Sequence, residues 1–190
     1  MPGTTTQSSL PIGMGVGKTM SSPFETTTEA FYYHAARFPN SIAVCDLSQG
    51  QRELTYGELA SRAQSLARAL KQLGVKPGQR IPLVVKRGVE MVVGIWAVLS
   101  CGAQYVPLDG GVVPDSSLRH VVEQAGGSVI LCMASTESRL SALLPDSQTV
   151  LIEDHWLSQP SSNNDVILDL ATADGGCYVI YTSGQYNLHV

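Results

Sequence analysis

The stretch Val89-Glu90-Met91-Val92-Val93-Gly94-Ile95-Trp96-Ala97-Val98-Leu99-Ser100-Cys101-Gly102-Ala103-Gln104-Tyr105-Val106-Pro107-Leu108-Asp109 places two elements back to back. In its first part Val92, Val93, Ile95, Trp96, Val98 and Leu99 leave almost no polar face. That pattern predicts a helix over about 89–101, buried against neighbours on several sides. Gly102 ends it, and 104–108 reads as a strand before a turn at Asp109-Gly110-Gly111. A helix that is apolar all round needs cover on several sides, as the helices of a layered fold have.

The same alternation extends in both directions. Upstream, Thr26 and Glu29 fit a capping box that opens a helix bearing Phe31, Tyr32, Ala35 and Phe38, stopped by Pro39. A short strand follows at 42–45. Thr55 and Glu58 form a second box, behind which Leu59, Ala63, Leu66, Leu70 and Leu73 recur at helical spacing until Gly74. Pro77-Gly78 turns the chain into an apolar strand at 80–85. Downstream, Pro114-Asp115 starts a helix with Leu118, Val121, Val122 and Ala125, closed by Gly126-Gly127. Strands at 128–133 and 149–152 bracket a weaker helix around 138–144, and 158–165 is a polar loop. Strands alternating with helices through short Gly/Pro turns predict an α/β fold with a mostly parallel sheet covered by helices on both faces.

Composition narrows the function classes. The chain has 190 residues, 44% of them hydrophobic, enough for one sizeable core. With 12 basic and 16 acidic residues the net charge is −4, and no Lys/Arg cluster appears, so a nucleic-acid partner is not expected. The longest apolar run, 91–99, is far short of the roughly 20 residues that span a bilayer. Without the apolar run of a signal peptide, a cytoplasmic location is expected and a membrane partner is not. Cys45, Cys101, Cys132 and Cys177 lie far apart in apolar surroundings and read as buried, reduced thiols. His34, His120, His155 and His189 show no ligand spacing, so no metal site is assigned. Residues 1–23, rich in Thr, Ser, Gly and Pro, are expected to be a disordered leader. Within them Gly13-Met14-Gly15-Val16-Gly17-Lys18-Thr19 imitates a phosphate loop, but its glycines enclose three residues where that loop needs four.

The last apolar stretch, Tyr178-Val179-Ile180-Tyr181, delivers Thr182-Ser183-Gly184. Two hydroxyls and a glycine that lets backbone N–H groups approach an anion are the start of a phosphate-binding turn. In a parallel sheet such a turn at the carboxyl end of a strand stands where ligands bind. The residues that follow, Gln185-Tyr186-Asn187-Leu188-His189-Val190, add no further Gly and no Lys.

Three of these segments together resemble one family, the adenylate-forming enzymes, and most closely the adenylation domains of nonribosomal peptide synthetases. Leu54-Thr55-Tyr56-Gly57-Glu58-Leu59 looks like the family's first core motif. Leu99 to Asp109 is similar to the second, usually L-K-A-G-x-A-Y-V-P-L-D. Tyr178 to Gly184 matches the opening of the third, Y-x-I-Y-T-S-G. The second motif departs downstream, where the family often has Pro-x-x-Arg-Leu and this chain has Pro114-Asp115-Ser116-Ser117-Leu118, with Ser117 at the Arg position.

The resemblance implies a partial AMP-binding domain over 24–184, the incomplete N-terminal portion of the large subdomain, and a non-family tail at 185–190. It implies the joining of a carboxylate to ATP with release of pyrophosphate. ATP and Mg²⁺ would be the cofactors, a small carboxylic or amino acid the substrate, and a carrier-protein thiol the acceptor in a parent enzyme, as in secondary metabolism. Thr182, Ser183 and Gly184 match positions that contact ATP phosphates in the family, and no catalytic residue is assigned. The chain alone is expected to be inactive. Two other readings stand beside this one: a truncated, non-catalytic gene product, and an unrelated α/β module that binds a small ligand.

Overall fold

A computed structural model describes residues 21–47, 51–126, 128–153 and 166–181. Helix α1 (Thr27–Arg37) precedes an antiparallel pair, β1 (Ile42–Asp46) and β2 (Arg52–Thr55), and α2 (Tyr56–Gln72). Then β3 (Arg80–Val85), α3 (Val89–Ser100), β4 (Gln104–Asp109), α4 (Asp115–Gln124), β5 (Val129–Cys132), α5 (Ala134–Leu143) and β6 (Gln148–Leu151) alternate. The last four strands form a parallel sheet in the order β4-β3-β5-β6.

Side-chain alternation along β3 and β5 divides the core into two layers. Ile81, Leu83, Val85, Val129 and Leu131 pack with α1, α2 and α3; Val84, Ile130 and Cys132 pack with α4 and α5. Both faces of the sheet are thus covered, as the sequence implies. The chain moves from β3 to β4 in one direction and then back past β3 to β5. Right-handed crossovers put the intervening helices on opposite faces when the direction reverses, which accounts for α3 on one side and α4 on the other. At Gly94, α3 approaches the sheet so closely that a Cβ would lie 2.7 Å from Leu83 Cδ1. The glycines at 74, 102 and 126 all have positive φ, between 65° and 89°, and follow the ends of α2, α3 and α4.

Four expectations change. The Leu54-Thr55 entry into α2 also belongs to a strand, β2, so the sheet content includes a hairpin; Leu54 has too few neighbours of its kind to signal a strand from sequence. At α1, Thr26 Oγ1 accepts from the Glu29 N–H at 3.0 Å, but Glu29 Oε2 accepts from the Glu25 N–H instead of closing the box on Thr26. At α2 both halves of the box form. Cys101 and Cys132 are buried as expected, whereas Cys45, on the outward face of β1, and Cys177 are exposed; all four are free thiols. Finally, the apolar stretch at 178–181 makes only an isolated parallel bridge, Tyr178 to Tyr105. The leader up to residue 20, the polar loop at 158–165, the turn at 182–184 and the tail at 185–190 lie outside the described residues.

Among the described residues no helix is long and apolar enough to cross a membrane.

Candidate nucleotide site

Thr182, Ser183 and Gly184 lie outside the described residues, so the structure speaks to the stem that carries them. That stem is held first by the layer of α1, α2 and α3. Gln64, buried on α2, donates from Nε2 to the Leu168 carbonyl at 2.9 Å and accepts the Leu168 N–H at 2.8 Å on Oε1. The Leu170 N–H reaches the Ser100 carbonyl at 2.8 Å. Asp169 Oδ1 accepts from Thr28 Oγ1 at 2.9 Å and from the Ala171 N–H at 3.1 Å. Gly102 makes room: a Cβ there would lie 2.5 Å from the Leu170 oxygen. The neighbouring Ser100 hydroxyl donates to the Trp96 carbonyl at 2.7 Å, which leaves it to accept from Tyr32 Oη, also at 2.7 Å. Burial, opposed by the Ser100 hydrogen bond, raises the Tyr32 pKa above its ordinary value. Thr28, Gln64 and Ser100 are therefore buried polar groups with partners in the stem or in α3 beneath it.

Past Ala171 the stem crosses to the free edge of β4. The Tyr105 N–H donates to the Cys177 carbonyl at 3.1 Å and its carbonyl accepts from the Val179 N–H at 3.0 Å. Gln104 sends its own N–H the other way, to Gln79. In a parallel ladder alternate residues face alternate neighbours, so the next residue of β4 to face the stem is Pro107. Proline has no N–H to give, and the ladder stops after one bridge. This is why 178–181 is not a full strand. Val179 and Tyr181 pack on the second core layer, while Tyr178 and Ile180 remain 55% and 58% exposed.

The bridge is parallel, so the stem runs with β4 toward the carboxyl end of the sheet. There a cavity of 180 Å³ is lined by Leu83, Val85, Arg87, Met91, Pro107, Leu108 and Asp109. It offers one guanidinium and one carboxylate at an apolar crevice, in the place where open parallel sheets bind ligands. The loop beside it is braced from α5: Arg139 bonds Asp115 Oδ1 through Nε and Nη2 at 2.8 and 2.6 Å, the Gly110 carbonyl at 2.9 Å and the Val113 carbonyl at 2.6 Å. An arginine thus organises the loop after β4 even though Ser117 occupies the position where the motif usually has one. Two other hollows lie away from the strand ends: 180 Å³ between the start of α1 and 171–177, and 550 Å³ between α2 and 166–168.

Behind the crevice, Arg52 of β2 binds Glu90 bidentately at 2.6 and 2.9 Å and Asp46 at 3.0 Å. Glu90 and Asp46 are buried, and their hydrogen bonds hold the Arg52 pKa above its ordinary value. The fork ties the hairpin to the first turn of α3, where a carboxylate also suits the helix dipole. Gly88 lies against it, since a Cβ would come within 2.9 Å of Asp46 Oδ2. The one local hint of this triad in the sequence is a Glu in an otherwise apolar helix. Among the described residues no group of three His, Cys, Asp or Glu could hold a metal ion.

Comparison with known proteins adds the family. The model described as AMP-binding enzyme matches residues 31–184. An adenylate-forming reductase of Coprinopsis cinerea is 38% identical over 174 residues, which are 90% of this chain and 16% of that protein. A linear gramicidin synthase from Brevibacillus parabrevis is 36% identical over 163 residues, 84% of this chain and 3% of that protein. The AMPPNP-bound form of the nonribosomal peptide synthetase FmoA3 superposes with a TM-score of 0.74 at 26% identity, over 86% of this chain and 17% of that one. The chain therefore spans a small share of the length of the relatives it matches.

Proposed function

Because the chain belongs to the AMP-binding enzyme family, we propose that it supplies the phosphate side of a nucleotide site for carboxylate adenylation. The reaction in view joins a carboxylate oxygen to the α-phosphorus of ATP, breaks the bond to the β-phosphate oxygen, and yields an acyl or aminoacyl adenylate and pyrophosphate. Thr182, Ser183 and Gly184 would hold the phosphates by hydroxyl and backbone N–H donors. Mg²⁺ would neutralise the polyphosphate. The substrate is a small carboxylic or amino acid, and a carrier-protein thiol would take the product onward. The 190 residues offer no assigned acid, base or carboxylate-binding group, so turnover by this chain alone is not part of the proposal.

The observation that carries this reading is the parallel bridge between Tyr178 and Tyr105, which directs the stem of the turn to the carboxyl end of the sheet. The family match extends through the same turn, to residue 184, and removes support from an unrelated binding module. The test is calorimetric titration of the chain with Mg-ATP and with AMP. A triphosphate grip predicts binding of ATP, markedly weaker binding of AMP, and loss of ATP binding in Gly184→Val. Equal affinity for ATP and AMP, or no effect of Gly184→Val, refutes it. ATP–pyrophosphate exchange in the presence of mixed amino acids is predicted to stay at background.

A further inference from the structure

We propose that Gln64 is a positioning residue: from the middle of α2 it fixes where the 168–181 stem lies on the molecule, and so where the turn at its end is presented. A buried primary amide is suited to this, because it offers a donor and an acceptor side by side without charge. Gln64 gives a donor and its acceptor to one residue, Leu168, 104 positions away in sequence, as a strand neighbour would, and its amide also hydrogen-bonds the Tyr32 side chain. The geometry demands the full side-chain length; asparagine at this site is one methylene short.

The grip on Leu168 is the first of a run of anchors on consecutive residues. Thr28 holds Asp169, and the Ser100 carbonyl holds Leu170 beside the open face of Gly102. Beyond Ala171 the next backbone anchor on the sheet is Tyr105, and Pro107 prevents the ladder from continuing. The edge pairing is thus too short to set the register of the stem unaided. Two hydrogen bonds at Tyr105 follow from a position already chosen by Gln64, Thr28 and Ser100. Loss of the amide grip releases the stem while the central strands, which share no hydrogen bond with it, stay closed. The link to nucleotide rests on the proposed phosphate grip; the link to the stem does not.

The experiment is amide hydrogen exchange on the full chain, comparing the wild type with Gln64→Met, which keeps length and apolar bulk but removes both bonds to Leu168, and with Gln64→Asn. Exchange at Leu168 and Val179 is expected to accelerate by about tenfold or more in both variants, with Leu83 and Leu131 in the central strands changing by less than about twofold. Thr28→Val, which frees Asp169, gives a second route to the same release if a Gln64 variant does not fold. Unprotected Leu168 and Val179 in the wild type, unchanged exchange at Val179 in the variants, or equal acceleration in the central strands each overturns the proposal. Mg-ATP titration separates the two readings. A wild type that binds no ATP refutes the phosphate grip and leaves the exchange result to decide the role of Gln64. Binding by the wild type that is unchanged in Gln64→Met refutes the reach of Gln64 to the turn.

Discussion

Tyr105 and Tyr178 are parallel partners at the edge of the sheet, their rings 5.7 Å apart between centroids, and Tyr105 gives both its backbone groups to the stem while Pro107, two residues on, has no N–H to give. The edge is therefore closed by chemistry rather than by shape. Replacing the imino acid with a residue that has an N–H should extend the ladder by one bond. In Pro107→Val the amide introduced at position 107 is expected to donate to the Val179 carbonyl and to be protected in hydrogen exchange. Global stability should change little, because one net hydrogen bond of about 0.5–1.5 kcal/mol is offset by the greater freedom of the unfolded chain, about 0.4–1 kcal/mol. Fast, unprotected exchange of that new amide would show that something other than the missing donor ends the pairing.

The Arg52 fork makes a prediction of opposite character. Glu90→Ala takes the carboxylate away from Nη1 and Nη2 of Arg52 and leaves the guanidinium with Asp46 as its remaining acidic partner in the fork. Truncating one member of a fully buried pair costs roughly 3–5 kcal/mol; the Arg52 side chain keeps 40% exposure, so about 2–3 kcal/mol is expected in urea unfolding. An effect under about 0.5 kcal/mol would mean that the hairpin is held to α3 by apolar packing alone.

Thiol chemistry divides the cysteines in two. Cys177 should alkylate in the native chain at neutral pH, Cys45 more slowly because desolvation and the hydrogen bond to Glu53 raise its thiol pKa, and Cys101 and Cys132 only on unfolding. Burial pushes the Cys101 thiol up to about 11 and the Cys132 thiol, with help from the charges of Glu137 and Glu153, up to about 12. A raised pKa contributes stability that is complete below the unfolded value near 9.0 and lost as pH rises toward the folded values. Stability should therefore fall above pH 9, by on the order of 3–4 kcal/mol per thiol at the limit. Cys132→Ala, whatever its cost at neutral pH, should flatten that alkaline slope; an identical slope would assign it to other groups.

Helix α2 tests the local reading of sequence. Thr55 Oγ1 accepts from the Glu58 N–H at 3.2 Å and Glu58 Oε2 accepts from the Thr55 N–H at 2.8 Å. Thr55→Ala is expected to lower stability by about 1 kcal/mol. Hydrogen bonding to the Thr55 N–H holds the Glu58 pKa below its ordinary 4.5, so the carboxylate's share of the cap is present above that pH and fades as the solution is acidified below it. Indifference of the midpoint to the substitution would deny the box any part in holding the N-terminus of α2.

Particular elements show how far the chain could be read unaided. Helix α3 and strands β3 and β4 appear where their apolar patterns place them, within a residue, because α3 and β3 are largely buried and the apolar composition of each element carries the signal. The cap of α2 is likewise local, formed by residues three apart. Strand β2 was hidden because four residues that end in a helix cap carry too little periodicity. The third motif named the turn at Thr182-Ser183-Gly184 but left unseen what holds its stem: Gln64, Thr28 and Ser100 look like ordinary polar positions on helices, and nothing near them in sequence names their partners.

The order of residues alone determined the alternation of helix and strand, the two-sided burial of the sheet and the membership of the chain in its family, since these depend on periodicity and on motifs contained in short spans. Folding in three dimensions decided the Arg52 fork, the clasp of Gln64 on Leu168, the bracing of the β4 loop by Arg139 and the single bridge at Tyr105. Each joins groups from separate segments of the chain, and such pairings follow from how layers pack, which no local pattern of residues encodes.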